Sequence, residues 1–282
     1  MPLVTQSKNV VMYYAVLFVV CVLSTNGKPS LSFNLPFKGP FASFVSGGNR
    51  VNRFALKEYS GRRADGDSLR MVYFNDQTVA VVELGMNKLL LNCELIEVFS
   101  PDQVFVVLGE LKNTARPVEV TFQEMLTLMS QCKQLEDVTY LSGHNEMTKN
   151  HSNDRMDSPR GTNNPFSLLS GIIPGTKWCG TGDIAKDYFD LGTEPKVDAC
   201  CRAHDLCPVK IRAYSNKYNL TNNSLYTKSH CRCDDSLFEC LKRNRNSNTA
   251  NIMGNIYFNI VQVPCLEDSE EGRKFRQAKN VF

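Results

Sequence analysis

The sequence contains no internal repeat and no low-complexity tract, and after residue 27 it has no apolar run approaching the ~20 residues that a membrane span needs. Repeat architectures and polytopic membrane folds are thereby set aside. A strong excess of either charge is also missing: 32 Lys and Arg against 29 Asp and Glu leave a formal net charge of +3. This argues against a nucleic-acid partner, which asks for clustered basic surface. The small basic excess falls in the C-terminal part and suits approach to an anionic lipid surface. Zinc-site spacing is absent as well. The cysteines come as the pair Cys200 and Cys201 and as Cys231-Arg232-Cys233, which fit the usual CxxC pattern poorly.

At the N-terminus, Lys8 precedes the apolar run Val10 to Leu23, and Ser24, Thr25, Asn26 and Gly27 follow. Residues 1–27 therefore read as a signal peptide; the alternative, a membrane anchor, asks for a longer run. The mature chain is expected to be secreted and extracellular. Of 11 cysteines, Cys21 leaves with the signal. The others, in an oxidising compartment, imply disulfides. Cys93 and Cys132 lie in the first half, free to pair with each other or with a second chain. The rest lie between Cys179 and Cys265.

Residues 28–67 lack periodicity and read as loop. From Ser68 to Leu111, three β-branched apolar runs (MVYFNDQTVAVVEL, KLLLNCELIEVF, QVFVVLGEL) separated by GMN and SPD predict an antiparallel meander. Phe122, Met125, Leu126, Met129 and Cys132 then recur at helical spacing behind Thr121 and Glu124, a capping pair. Residues 28–141 are thus expected to form a small α+β domain, a pro-region or an accessory unit. Residues 142–170 are polar and read as a flexible linker, with Arg155 and Arg160 as candidate cleavage sites and an uncleaved spacer as the equal alternative. The remaining residues, 171–282, form the second unit. Asn150, Asn219 and Asn222 begin N-x-S/T sequons, expected on surface loops.

Three segments of 171–282 carry chemistry. In WCGTGD, Trp178 to Asp183, glycines clear space for close backbone approach. If the stretch is extended, the carbonyls of Trp178, Gly180 and Gly182 point one way, toward a hard cation such as calcium. In DACCRAHDLC, read as a helix, Cys201 and Asp205 share one face while Cys200, His204 and Cys207 share the next. In CRCDDSLFECLKRN, Cys233, Leu237 and Cys240 fall on one helical stripe. The two helices can be stapled antiparallel through Cys207 with Cys233 and Cys200 with Cys240, because both separations are seven residues. That arrangement brings Asp234 to His204. The other histidines have weaker claims: His230 reads as loop without a carboxylate at a useful spacing, and His144 and His151 fall in the linker. Trp178 either packs inside or enters lipid.

The segments IIPGTKWCGTGD, DACCRAHDLC, CRCDDSLFECL and GNIYFN closely resemble the group III, bee-venom type, secreted phospholipases A2, from about Gly171 to Cys265. The resemblance implies a mainly α, disulfide-rich fold with two stapled antiparallel helices and a calcium loop. It implies a calcium site from the carbonyls of Trp178, Gly180 and Gly182 and the carboxylate of Asp205. A His204 and Asp234 dyad supported by Tyr257 would activate water against the sn-2 acyl ester of glycerophospholipids at a membrane surface. Bridges Cys179–Cys201, Cys200–Cys240, Cys207–Cys233 and Cys231–Cys265 are implied as well. One departure is that the bee-venom pattern has a further disulfide after the position of Cys265. The rival class is a non-catalytic toxin or receptor- or channel-binding module on the same fold. The N-terminal region could stay associated with the catalytic part. With all eight cysteines inside it, a fragment beginning near Gly171 is expected to fold alone.

Overall fold

The structure is a computed structural model of the chain and describes residues 57–147, 171–278 and 281–282, with side chains undescribed at 140–147. The signal peptide, Asn150, His151, Arg155 and Arg160 fall outside the described residues, as does the side chain of His144. No helix among the described residues is long and apolar enough to cross a membrane.

The first apolar run is two strands. β1 (Leu69–Asn75) and β2 (Thr78–Leu84) pair antiparallel around Asp76, whose φ of 45° makes the tight turn. β3 (Leu90–Glu97) pairs with β2, and β4 (Pro117–Glu119) pairs with β1 in parallel, giving the order β3-β2-β1-β4.

The third expected strand is a helix, α1 (Pro101–Leu111). Its start overrides its β-branched composition. Ser100 Oγ accepts from Gln103 N at 3.3 Å, and Pro101 occupies the first turn, where its missing N–H costs nothing. Val104, Val107, Leu108 and Leu111 then form one stripe that packs on Val72, Val79, Val81 and Ile96.

The opposite face of the sheet, with Tyr73, Ala80, Val82, Leu84 and Leu95, meets α2 (Phe122–Met147) through Met125, Leu128 and Met129. Reciprocal capping opens α2: Thr121 N donates to Glu124 Oε2 at 2.8 Å, and Glu124 N to Thr121 Oγ1 at 3.3 Å. The helix runs to Met147, into the stretch read as linker from residue 142. Cys93 and Cys132 pair with each other and pin β3 to α2.

Within 171–282, α3 (Pro195–Asp205) and α4 (Cys231–Arg243) lie antiparallel, as their staples require. α5 (Asn248–Gly254) passes directly into a π-helical turn, Asn255–Val261. Short antiparallel pairs, β5 (Lys210–Ile211) with β8 (Lys228–Ser229), β6 (Ser215–Lys217) with β7 (Leu220–Asn222), and β9 (Cys265–Ser269) with β10 (Gly272–Arg276), complete it. The four implied bridges all form. Around them pack Trp178, Val197, Leu237, Phe238, Leu241 and Phe258.

The two parts share a core: Tyr188 and Leu206 are buried with the α2 face of the sheet. One surface expectation needs correcting. Asn222 is 0% exposed, and its Nδ2 donates to the carbonyls of Ile211, Arg212 and Tyr226, so this sequon residue is internal scaffolding. Asn219 sits exposed at the β6–β7 turn, with φ 58°.

Candidate functional site

The stapling of α3 to α4 decides where the histidine points. Cys207–Cys233 ties the end of α3 to the start of α4, one residue before Asp234. His204 Nε2 lies 2.8 Å from Asp234 Oδ1. The π-helical turn contributes Tyr257, whose hydroxyl donates to Asp234 Oδ1 at 3.3 Å and lies 3.3 Å from His204 Nε2. Such turns recur where a helix must re-aim a side chain at a functional site. The Tyr257 ring stands edge-on to the imidazole, 5.3 Å between centroids.

This hydrogen bonding favours the tautomer with the proton on Nε2, leaving Nδ1 as the basic nitrogen. Nδ1 lies 3.9 Å from Asp205 Oδ1, on the side away from Asp234. Burial works against the imidazolium, yet hydrogen bonds and charge from Asp205 and Asp234 outweigh it and lift the His204 pKa to about 9. Burial, followed by the charge of Asp234, also raises the Tyr257 phenol.

Asp205 is the unusual group. Its Oδ2 is buried and has no hydrogen-bond partner, a costly state for a carboxylate, and burial pushes its pKa up to about 6. One turn earlier, Cys201 bridges to Cys179 inside the glycine loop. In that loop Ile173 N donates to Cys179 O at 2.8 Å. Gly180 is required for this approach, since a Cβ there would lie 2.2 Å from the Gly171 carbonyl oxygen. The stretch expected to be extended is instead bent at 177–179 and 181–182, with Gly182 at φ 88°, so strand-like alternation does not by itself aim the carbonyls of Trp178, Gly180 and Gly182. Among the described residues no cluster of three or more His, Cys, Asp or Glu could hold a metal ion. A set of carbonyls with one carboxylate is of another kind, suited to a hard cation, and the orphaned Asp205 oxygen fits it.

Two residues hold more of this arrangement than their sequence positions suggest. Asp198, the first residue of DACCRAHDLC, is fully buried and accepts from the backbone N–H groups of Lys177, Trp178 and Gly192 at 2.8–2.9 Å. It anchors the loop to α3. A signal was present, since Asp198 lies three residues before Cys201 and so on the loop-facing side. His230 is corrected: it is the buried N-cap of α4, accepting from Arg232 N at 3.2 Å, with Asp268 Oδ2 3.3 Å from Nε2. Burial lowers its pKa. Its carboxylate comes from a distant hairpin, which spacing cannot reveal. Trp178 packs inside at 2% exposure, with Nε1 donating to Asp190 O at 3.1 Å.

The family model for "Phospholipase A2" matches residues 172–269. Among curated proteins, the chain is 46% identical over 101 residues to "Phospholipase A2 isozymes PA3A/PA3B/PA5" of Heloderma suspectum, covering 36% of this chain and 69% of that protein. It is 43% identical over 94 residues to a phospholipase A2 of Bombus pensylvanicus, covering 33% and 69%. To the "Group 3 secretory phospholipase A2" of Bos taurus it is 41% identical over 100 residues, covering 35% of this chain and 20% of that one. The family-model match spans His204, Asp205, Asp234 and Tyr257, and with these relatives the chain belongs to the phospholipase A2 family.

Proposed function

We propose that this chain is a secreted, calcium-dependent phospholipase A2 of the group III type, hydrolysing the sn-2 acyl ester of glycerophospholipids at membrane surfaces, with the activity in residues 171–282. The observation that carries the reading is the oriented dyad. His204 is held through Nε2 by Asp234 at 2.8 Å, and its Nδ1 lies 3.9 Å from Oδ1 of Asp205, the carboxylate whose Oδ2 is unsatisfied.

Neutral His204 takes a proton at Nδ1 from a water molecule as that water attacks the ester carbonyl carbon, then returns it to the departing lysophospholipid oxygen. Asp234 fixes the tautomer and stabilises the transient imidazolium, and Tyr257 holds Asp234 in place. The carbonyls of Trp178, Gly180 and Gly182 and the carboxylate of Asp205 would hold calcium, which when bound would supply positive charge to polarise the ester carbonyl and stabilise the oxyanion. The Gly180 amide donates to the same oxyanion. Asp198 keeps the loop in register with α3.

A lipid surface as partner is supported by an apolar stripe beside the dyad. Ile252, Ile256 and Ile260 recur every four residues around Tyr257 and are 49%, 40% and 73% exposed. Ile184, next to the glycine loop, is exposed too. The likeness to the group 3 secretory phospholipase A2 of Bos taurus supports both the subtype and secretion. An intact His204–Asp234 pair speaks for an enzyme over a binding module on the same fold. The test is fatty-acid release from phospholipid vesicles by the secreted protein. Activity lost on calcium chelation and not restored by magnesium fits the reading, and full activity in excess chelator overturns the calcium assignment.

A further inference from the structure

In α3, the side chains of Arg202 and Leu206 fall two residues either side of His204, hence on the face opposite it. The rest of 171–282 leaves that face largely uncovered. Leu206 is 2% exposed and belongs to the core cluster that α2 and strands β1–β3 build; Tyr188 is the other buried contributor from 171–282. Arg202 is more telling. Its guanidinium is buried, stacked 3.9 Å over the Tyr188 ring and donating to Tyr188 O at 2.6 Å. Its counter-charge is Glu136 of α2, which also accepts from the Tyr188 hydroxyl at 3.0 Å. A single carboxylate from the N-terminal part therefore satisfies two buried polar groups of the other part.

The segment leaving α3 is held in the same way by the β1–β2 turn. Thr78 Oγ1 donates to Leu206 O at 2.8 Å, Gln77 N to Pro208 O at 3.1 Å and Gln77 Nε2 to Lys210 O at 2.8 Å. Lys210, buried, pairs with Glu97 of β3 at 2.5 Å and donates to the Asp205 carbonyl. Asp76 accepts from Lys217 at 2.6 Å and from the Tyr218 hydroxyl. The contact thus combines an apolar centre, a buried charge pair and ordered backbone ties, the composition of a lasting interface rather than a passing one.

We propose that residues 57–147 are a permanent partner of the phospholipase unit, docked on the back of the His204 helix, and that cleavage between residues 148 and 170 leaves a two-chain protein instead of releasing an active fragment. None of the five disulfides joins the two parts, so after cleavage the association is non-covalent. Cysteines alone make a fragment from Gly171 covalently self-sufficient, but such a fragment strips Arg202 of its carboxylate and exposes Tyr188 and Leu206. The docking stands on these contacts, while the word active rests on the function proposed above.

The experiment places a specific protease site between residues 148 and 170 of the full chain, cuts it, and compares a non-reducing denaturing gel with native size-exclusion chromatography. Two bands on the gel but one peak on the column, with calcium-dependent fatty-acid release within about twofold of the uncut protein, is the expected result. Two separate peaks at micromolar concentration overturn the proposal. In the cut protein, Glu136→Ala is expected to raise the dissociation constant of the two pieces at least ~100-fold, in line with loss of a buried charge partner. Thr78→Val, which removes only the hydrogen bond to Leu206 O, is expected to raise it ~5-fold and serves if the Glu136 variant is not secreted. Unchanged dissociation in both variants overturns the assigned surface. A co-eluting pair that never releases fatty acid sinks the proposed function and leaves the docking standing.

Discussion

His204 and Asp205 are neighbours in sequence that set each other's protonation. With the charge of Asp205 unneutralised, the His204 pKa of about 9 keeps the imidazole protonated near neutral pH, unable to accept a proton. A divalent cation on Asp205 cancels that pull, so the imidazole loses its proton more readily and its pKa falls. On the proposed mechanism activity requires the deprotonated form, hence it is expected to rise with pH through the His204 pKa. The acid limb of kcat/KM against pH is expected to move to lower pH as calcium is raised toward saturation. A limb that stays fixed would break the link between the two residues. Substitution separates their roles further. His204→Gln is expected to lower kcat by more than ~1,000-fold while calcium and vesicle binding persist, because the amide fills the space but takes no proton from water. Asp205→Asn should weaken calcium binding and activity together, as read by calcium titration alongside fatty-acid release. At this scale the meeting of His204 with Asp234 was legible. Helical spacing put His204 beside Asp234, and their hydrogen bond is present. Asp198 and Asn222 were harder to read, because each acts by accepting from or donating to backbone groups that no side-chain pattern marks.

Among the elements, the misread one is instructive. QVFVVLGEL has the composition of a strand, yet Ser100 and Pro101 start a helix, and the spacing of Val104, Val107, Leu108 and Leu111 gives it a face to bury. Local capping and a helical stripe outweighed β-propensity, which reflects packing more than backbone preference. The α5–π segment shows the reverse case. Its exposed isoleucines lie next to Tyr257, so the element that orders the dyad also faces outward. Ile256→Glu, changed on a half-exposed surface, is expected to leave the fold and the hydrolysis of a soluble monomeric ester intact. It should weaken binding to phospholipid vesicles by roughly tenfold or more, since insertion of a charge into lipid is unfavourable. Vesicle sedimentation beside a monomeric-substrate assay separates the two effects, and equal losses in both would indicate damage to the site itself.

For the molecule as a whole, spacing offered two of the four bridges of the phospholipase unit and the family resemblance implied the full set, but neither told the way residues 57–147 lie against it. Glu136 and Arg202 are separated by 66 residues, and Thr78 and Leu206 by 128. Contacts between polar atoms so far apart leave no periodicity to read. That layer also reaches the glycine loop, where the ammonium of Lys57 sits 4.1 Å from the centroid of the Trp178 ring and pairs with Asp183. Trp178 is the only tryptophan in the chain, so the ultraviolet emission of the whole protein reports on one place. A titration with calcium should change its intensity or wavelength as the carbonyl beside the indole is engaged, and Lys57→Met should shift the starting spectrum without abolishing that change. A spectrum indifferent to calcium would count against a role for the Trp178 carbonyl. The protein thus contains its own optical probe, native and single, at the junction of its two parts.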